Sequence, residues 1–322
     1  MIPIVCEVRA DLDTPLSIHL KLAAGAFSYL FESVHGGEKW GRYSIIGLPS
    51  RTLLKKVYGK RVVLERDGAI VHDRGGPRTP PLAWIEGFQA RIRACEQPEE
   101  LRFAGGLVGY FGYDTIRHIE PRLARCPNPD LIGTPDILLM VSDEVVVFDN
   151  LSGSMYIIKH LDPTAGDTLE AGEARIRELV WRVARTTPRP ARGLPREVRE
   201  SDFVSGFTED GYKQAVDRIK DYILAGDCMQ VVFSQRLSIP FGASPLDLYR
   251  ALRALNPSPY MYFLDLGWVP DRGLVTGDPD PAGCRCDHRA PHRRHPPPRP
   301  WRPRIGRWRR SSWPIPRNSP ST

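Results

Sequence analysis

Ile137–Leu161 reads ILLMVSDEVVVFDNLSGSMYIIKHL, and the fold class turns on it. Runs of Val, Ile, Leu and aromatic residues are broken at Ser142-Asp143 and again at Asn150-Leu151-Ser152-Gly153, so strand follows strand with only turns between. Strands that adjoin in sequence, in a chain that also carries helical segments, predict an α+β protein: layered antiparallel sheets with flanking helices, not a doubly wound parallel sheet.

The flanking sequence fits that plan. Pro15–Tyr29 has helical spacing, with Thr14 placed as N-cap and Pro15 in the first turn. Phe31-Glu32-Ser33 ends a strand, Tyr43–Ile46 forms another, and Thr52–Val71 reads as two strands with turns at Tyr58-Gly59-Lys60 and Asp67-Gly68. Leu82–Cys95 is an amphipathic helix after the Pro80-Pro81 break. Gly105–Asp114 (GGLVGYFGYD) is a glycine-bearing strand, where missing side chains allow close backbone approach. Helices follow at Leu169–Arg185, Glu209–Ala225 (capped by Thr208, stopped by Gly226) and Pro245–Leu255. MQVVFSQRLSI and YMYFLDL read as strands. The Pro/Arg-rich stretch before Phe203 is the best boundary, giving a first domain 1–185, a linker 186–202 and the start of a second domain 203–267.

At Gly267 the composition changes. The 55 residues from Trp268 hold 12 Arg, 12 Pro and four Trp, with no Lys, Glu, Gln, Phe, Tyr or Met. The chain's formal charge of +7 lies entirely there: residues 1–267 carry 33 basic against 34 acidic side chains. A basic balance points to nucleic acid only when the folded part carries it, so neither nucleic acid nor membrane is an expected partner. Five Val, Leu or Ile in the tail cannot offset the ordering entropy of about 1–2 kcal/mol per residue, so segment 268–322 is expected to be disordered. Cys6, Cys95, Cys126 and Cys228 stand singly, and the N-terminus lacks a leader pattern; a reduced, cytoplasmic setting is expected. Cys284-x-Cys286 with His288 lacks a second ligand pair at a zinc-like spacing. Gly105-Gly106-x-x-Gly109 has no Lys-Ser/Thr and opens no helix, so it is no phosphate loop.

Four segments change the reading when taken together: LFESVHGGEKWGRYSIIG, GYFGYDTIRHIE, IKDYILAGDCMQVVFSQRLSIPF and LYRALRALNPSPYMYFLDLG. In that order they closely resemble anthranilate synthase component I, the chorismate-utilising subunit of tryptophan biosynthesis. The resemblance covers essentially all of residues 1–267. It implies that Glu32, Ser33, Pro259, Tyr260 and Met261 line a feedback site for L-tryptophan. Ser33 and Glu32 can hydrogen-bond an amino acid's polar end, and the other three offer apolar and sulfur contacts to an indole. It also implies Mg²⁺ as cofactor and a glutamine amidotransferase, component II, as partner and ammonia source. At Gln230 the water-adding relatives carry a Lys. A neutral Gln230 cannot deprotonate water, which suits ammonia as nucleophile and leaves it the one possible active-site residue of this chain.

The family's catalytic His and magnesium-holding glutamates belong beyond the matched region, where this chain has its tail. Codons for Trp268–Pro279, read one nucleotide later, can encode GFQIVGSSPEIL, the family's own continuation. The same shift turns Arg289–His295 into VRPIAGT, and one nucleotide more turns Arg309–Thr322 into EELLADPKELAEH. The expectation is therefore a frameshifted tail and a chain without catalytic residues. Beside it stand a non-catalytic tryptophan-binding remnant and aminodeoxychorismate synthase component I, the latter disfavoured by the Ala of PIAGT.

Overall fold

The computed structural model describes residues 1–33, 41–57, 61–74, 80–92, 103–126, 133–188, 197–258 and 260–267. Pro259 and the tail from Trp268 lie outside them. The chain divides into two compact units, Met1–Pro188 with the residues from Asn256 onward, and Arg189–Leu255. The first unit is thus not one stretch of sequence: the chain leaves it after Pro188 and returns to add a last strand.

The first unit has two antiparallel sheets. One takes β1 (Ile2–Arg9), β2 (Ser28–Glu32), β3 (Tyr43–Gly47), β9 (Glu144–Asp149), β10 (Ser154–Leu161) and β13 (Met261–Asp265), in the order β1-β10-β9-β3-β2-β13. The other takes β4 (Thr52–Val57), β5 (Arg61–Arg66), β6 (Ala69–Arg74), β7 (Gly106–Phe111) and β8 (Ile137–Ser142), in the order β6-β5-β4-β8-β7. The stretch that decided the class is the join between them. All six residues of β8 are buried in one sheet, and after the single residue Asp143 the chain continues as β9 in the other. Ser142-Asp143 is therefore a crossing between sheets rather than a hairpin turn. Asn150–Gly153 is the hairpin, closing the β9–β10 ladder in which Ser154 faces Asp149.

Between the sheets Tyr29, Leu53, Val108, Leu138 and Met140 form a buried cluster, joined by Phe31, Ile45 and Leu264. Alternation explains the membership: Tyr29 and Phe31 point one way from β2, and Leu264, opposite Tyr29 on β13, points with them. Helix α2 (Pro81–Gln89) covers the outer face of the second sheet through Ile85, Trp84 and Phe88 against Leu54, Ile137 and Leu139. Helix α3 (Leu169–Arg185) lays Ile176 and Val180 on Ile4 and Leu161; Thr168 caps it, accepting from the Ala171 N–H at 3.2 Å. Burying these apolar faces supplies the driving force, at about 25 cal/mol per Å².

Two glycines have steric reasons. A Cβ at Gly47 would overlap the ring of Tyr29 on the neighbouring strand, and one at Gly109 would overlap the Leu138 carbonyl. Gly109 is thus the close approach expected of the glycine-bearing strand.

Several expectations are corrected. The two strands expected over Thr52–Val71 are three, β4, β5 and β6. The helix expected over Leu82–Cys95 is α2, which ends at Gln89; Cys95 lies outside the described residues. The helix expected over Pro15–Tyr29 is a single turn, α1 (Pro15–Ile18), that widens into a π turn at His19–Ala23; Ser28 and Tyr29 already belong to β2. Apolar spacing there reflects burial of His19, Leu22 and Ala23 in a short connector rather than a continuous helix. MQVVFSQRLSI is not a full strand: only β12 (Leu237–Ser238) is strand, paired with β11 (Val204–Ser205). An apolar run becomes a strand only where a neighbour offers its backbone groups. The helices of the second unit match expectation: α4 (Glu209–Leu224), with Thr208 accepting from Gly211 N–H at 3.1 Å, and α5 (Pro245–Leu255).

Candidate functional site

In the first unit a cavity of about 550 Å³ opens where β2, β3 and β13 approach β7. Its size lies within the ~300–1,000 Å³ usual for small-molecule sites. Phe31, Tyr43, Tyr110 and Tyr262 supply aromatic wall, Met261 and Leu264 aliphatic and sulfur surface, and Glu32 and Ser33 the polar end.

Strand pairing makes the site. β13 runs antiparallel to β2, with Met261 opposite Glu32 and Tyr262 opposite Phe31. Residues from the two ends of the matched sequence therefore meet on one ladder. Glu32, Ser33, Tyr260 and Met261 all line the cavity, and Pro259 lies outside the described residues. Glu32, at the cavity's edge, is only 4% exposed, while Tyr260 is largely exposed. Gln230 belongs to the second unit, where it is exposed and outside regular structure.

The walls are held from behind. The Tyr110 hydroxyl donates to the Pro135 carbonyl at 2.6 Å, fixing that ring. Arg42 lies 4.8 Å over the Tyr43 ring and pairs with Asp149 at 2.8 Å. Burial alone would raise the Asp149 carboxyl, but the Arg42 hydrogen bond and the N–H groups of Leu151 and Ser152 hold it below the ordinary range. The Tyr29 hydroxyl shares a buried 2.8 Å hydrogen bond with Ser142, tying β2 to the end of β8. On the other face of β13, His19 packs edge-on against Phe263 with ring centroids 5.7 Å apart. Both His19 ring nitrogens are buried without a hydrogen-bond partner; burial pulls the imidazole down to about 4, against the opposing pull of Asp265.

The aromatic wall was absent from the sequence reading, although its signal was there: Tyr110 and Tyr43 sit in the two segments GYFGYD and WGRYSIIG. What could not be seen was that these strands belong to different sheets facing one cavity. The arrangement suits a ligand with a flat apolar body and a cationic head, since aromatic faces and a carboxylate both attract an ammonium. Among the described residues no group of three or more His, Cys, Asp or Glu is placed to hold a metal ion. The magnesium implied by the resemblance thus finds no ligand set there. Among the described residues no helix is long and apolar enough to cross a membrane.

A layered α+β architecture with a cavity between two antiparallel sheets is what fold and site define. Residues 51–272 match the family model for chorismate binding enzyme, and the chain belongs to that family. That match ends close to Gly267, where the composition changes. The chain is 57% identical to anthranilate synthase component 1 of Pseudomonas aeruginosa over 87% of its own length and 56% of that protein's. It is 49% identical to the Neisseria meningitidis serogroup B protein of the same name, over 87% and 55% of the two lengths. The crystal structure of anthranilate synthase component I from Streptococcus pneumoniae superposes with a TM-score of 0.55 at 27% identity, covering 72% of this chain and 51% of that one. The chain thus spans about half the length of the curated relatives it matches.

Proposed function

We propose that this chain is the N-terminal, effector-binding part of an anthranilate synthase component I, and that its cavity takes L-tryptophan. The pairing of Met261 with Glu32 carries the reading, because it sets a carboxylate beside a sulfur- and aromatic-lined wall. Tryptophan's ammonium meets Glu32 and Ser33, and its indole lies among Met261, Tyr262, Tyr43 and Phe31. This is an allosteric role: the ligand matches the wall in shape and charge, and nothing in the cavity transforms it.

An intact protein of this kind aminates chorismate at C2 with ammonia and releases water and pyruvate to leave anthranilate. Its ammonia comes from a glutamine amidotransferase subunit, component II. In that chemistry Gln230, a neutral amide, is no base for water, which suits ammonia as the nucleophile. The 322 residues as written make no anthranilate, because the tail replaces the stretch that should carry the catalytic groups. The shared names of the relatives and the frame-shifted GFQIVGSSPEIL support this.

Titration calorimetry of the chain with L-tryptophan tests the site. Saturable heat, absent with L-alanine and lost in Glu32→Gln, is expected; no heat and no thermal shift would end the proposal. Sequencing the coding DNA between Leu266 and Arg310 tests the tail, and a single frame without the family-like alternative would remove that part.

A further inference from the structure

Phe27 has a left-handed backbone, with φ 62°, directly before β2. In that region Cβ crowds the following carbonyl oxygen, so a bulky residue holds it only where the surroundings over-determine it. Glycine or asparagine makes such a turn without strain. What Phe27 adds to the turn is its ring.

That ring is engaged on several sides. It packs on the cluster of Tyr29, Leu53, Val108, Leu138 and Met140 between the sheets. Lys55 of β4 stands 5.2 Å from the ring centroid. Gly267 also has a left-handed φ, 75°, and a Cβ there would come within 2.7 Å of the ring. Only glycine lets the backbone just past β13 lie this close to Phe27. The Phe27 carbonyl accepts from the Ser50 N–H at 2.9 Å, which fixes the strained turn to the link between β3 and β4.

β13 needs such a hold. It has five residues and, among the described residues, a single strand neighbour, β2. The last pair of their ladder, Asp265 with Ser28, lies next to the contact of Gly267 with Phe27. At the other end of the same ladder Met261 pairs with Glu32, and both line the cavity. We infer that Phe27 is a clasp: its ring, presented by a strained turn, seats the end of β13 on β2 and so fixes the Met261–Glu32 pairing from which the cavity is built. Phe27 is thus a positioning residue for the cavity's ligand, and for the identity of that ligand the inference rests on the reading given under Proposed function.

Amide exchange on the full 322-residue chain reads the clasp. Phe27→Asn keeps the left-handed turn and removes the ring. Amides of Met261–Asp265 should then exchange about thirtyfold faster, while those of β9 and β10 change by less than about threefold. Phe27→Leu keeps apolar bulk but loses the flat ring and the Lys55 contact, and should speed the same amides about tenfold. Gly267→Ala should disturb β13 less in a Phe27→Asn chain than alone, since the ring that its methyl would strike is gone. Acceleration spread evenly over both sheets would make Phe27 ordinary core, and unchanged β13 exchange would make the ring idle; either overturns the inference. So does a Gly267→Ala effect that is the same with and without the ring. Where calorimetry shows tryptophan binding to the unsubstituted chain, saturating tryptophan should slow β13 exchange in Phe27→Asn at least about tenfold. No slowing there would overturn the positioning role. A chain that binds no tryptophan at all ends the ligand reading, and selective release of β13 in the variants would still establish the clasp.

Discussion

Met261 lies directly across an antiparallel ladder from Glu32, although nearly the whole matched sequence separates them. Phe31, Glu32, Met261, Tyr262 and Leu264 of this ladder line one cavity together with Tyr43 of β3 and Tyr110 of β7. The cavity therefore depends on β13 staying docked on β2.

Removing the charge at Glu32 tests the polar end. Glu32→Gln keeps the shape and loses the charge-assisted contact to an ammonium, worth about 1.5–3 kcal/mol. Tryptophan affinity should fall by about tenfold or more, while tryptamine, which keeps the ammonium, should lose as much. Calorimetry on both ligands reads the result.

Glycine positions give a contrast in stability. At Gly47 a methyl group would run into the Tyr29 ring, so Gly47→Ala should cost about 1–3 kcal/mol by overpacking. At Gly87, inside α2, nothing lies within 4 Å of the new carbon, so Gly87→Ala should stabilise by about 0.5–1 kcal/mol. Urea denaturation of the two variants should move in opposite directions.

His19 makes stability depend on pH. Its folded pKa, about 4, lies below the ordinary 6.5, so the unfolded chain takes up a proton first as pH falls. Stability from this group is complete above pH 6.5 and is lost on acidification toward pH 4, at up to about 1.4 kcal/mol per unit. His19→Leu removes two unsatisfied ring nitrogens, so it should flatten that slope and raise the thermal midpoint at pH 5.

Arg175 joins α3 to the first sheet. It grips Glu144 with Nε at 3.0 Å and Nη2 at 2.8 Å, and Lys159 stands 3.5 Å from the same carboxylate. Burial pushes Glu144 up, but these partners hold it below the ordinary 4.5. Arg175→Ala should cost about 1–2 kcal/mol at pH 7, and that difference should shrink as pH falls below 4.5 and Glu144 protonates. Denaturation midpoints at pH 7 and pH 3.5 check it.

Local rules placed what local forces make. Thr14 and Thr208 cap the helices they precede, because a side-chain oxygen next to free N–H groups is a short-range signal. Residues 15–29 and 229–239 misled because apolar spacing reports burial without naming the partner that buries it. Glu32 and Met261 entered through family resemblance; as isolated residues they look like strand ends.

Sequence alone determined the α+β class, the bounds of the three later helices to within a residue and the change at Gly267, each written in composition or in spacing a few residues long. Gly267 itself keeps a left-handed φ of 75° against the ring of Phe27, so the chain follows the fold up to that residue. The tertiary structure decided that β8 and β9 part into different sheets at Asp143 and that β13 returns to β2. It also decided that Tyr43 and Tyr110 face one cavity. Those outcomes depend on which backbone edges and apolar faces meet across long stretches of chain, and no local pattern encodes that meeting.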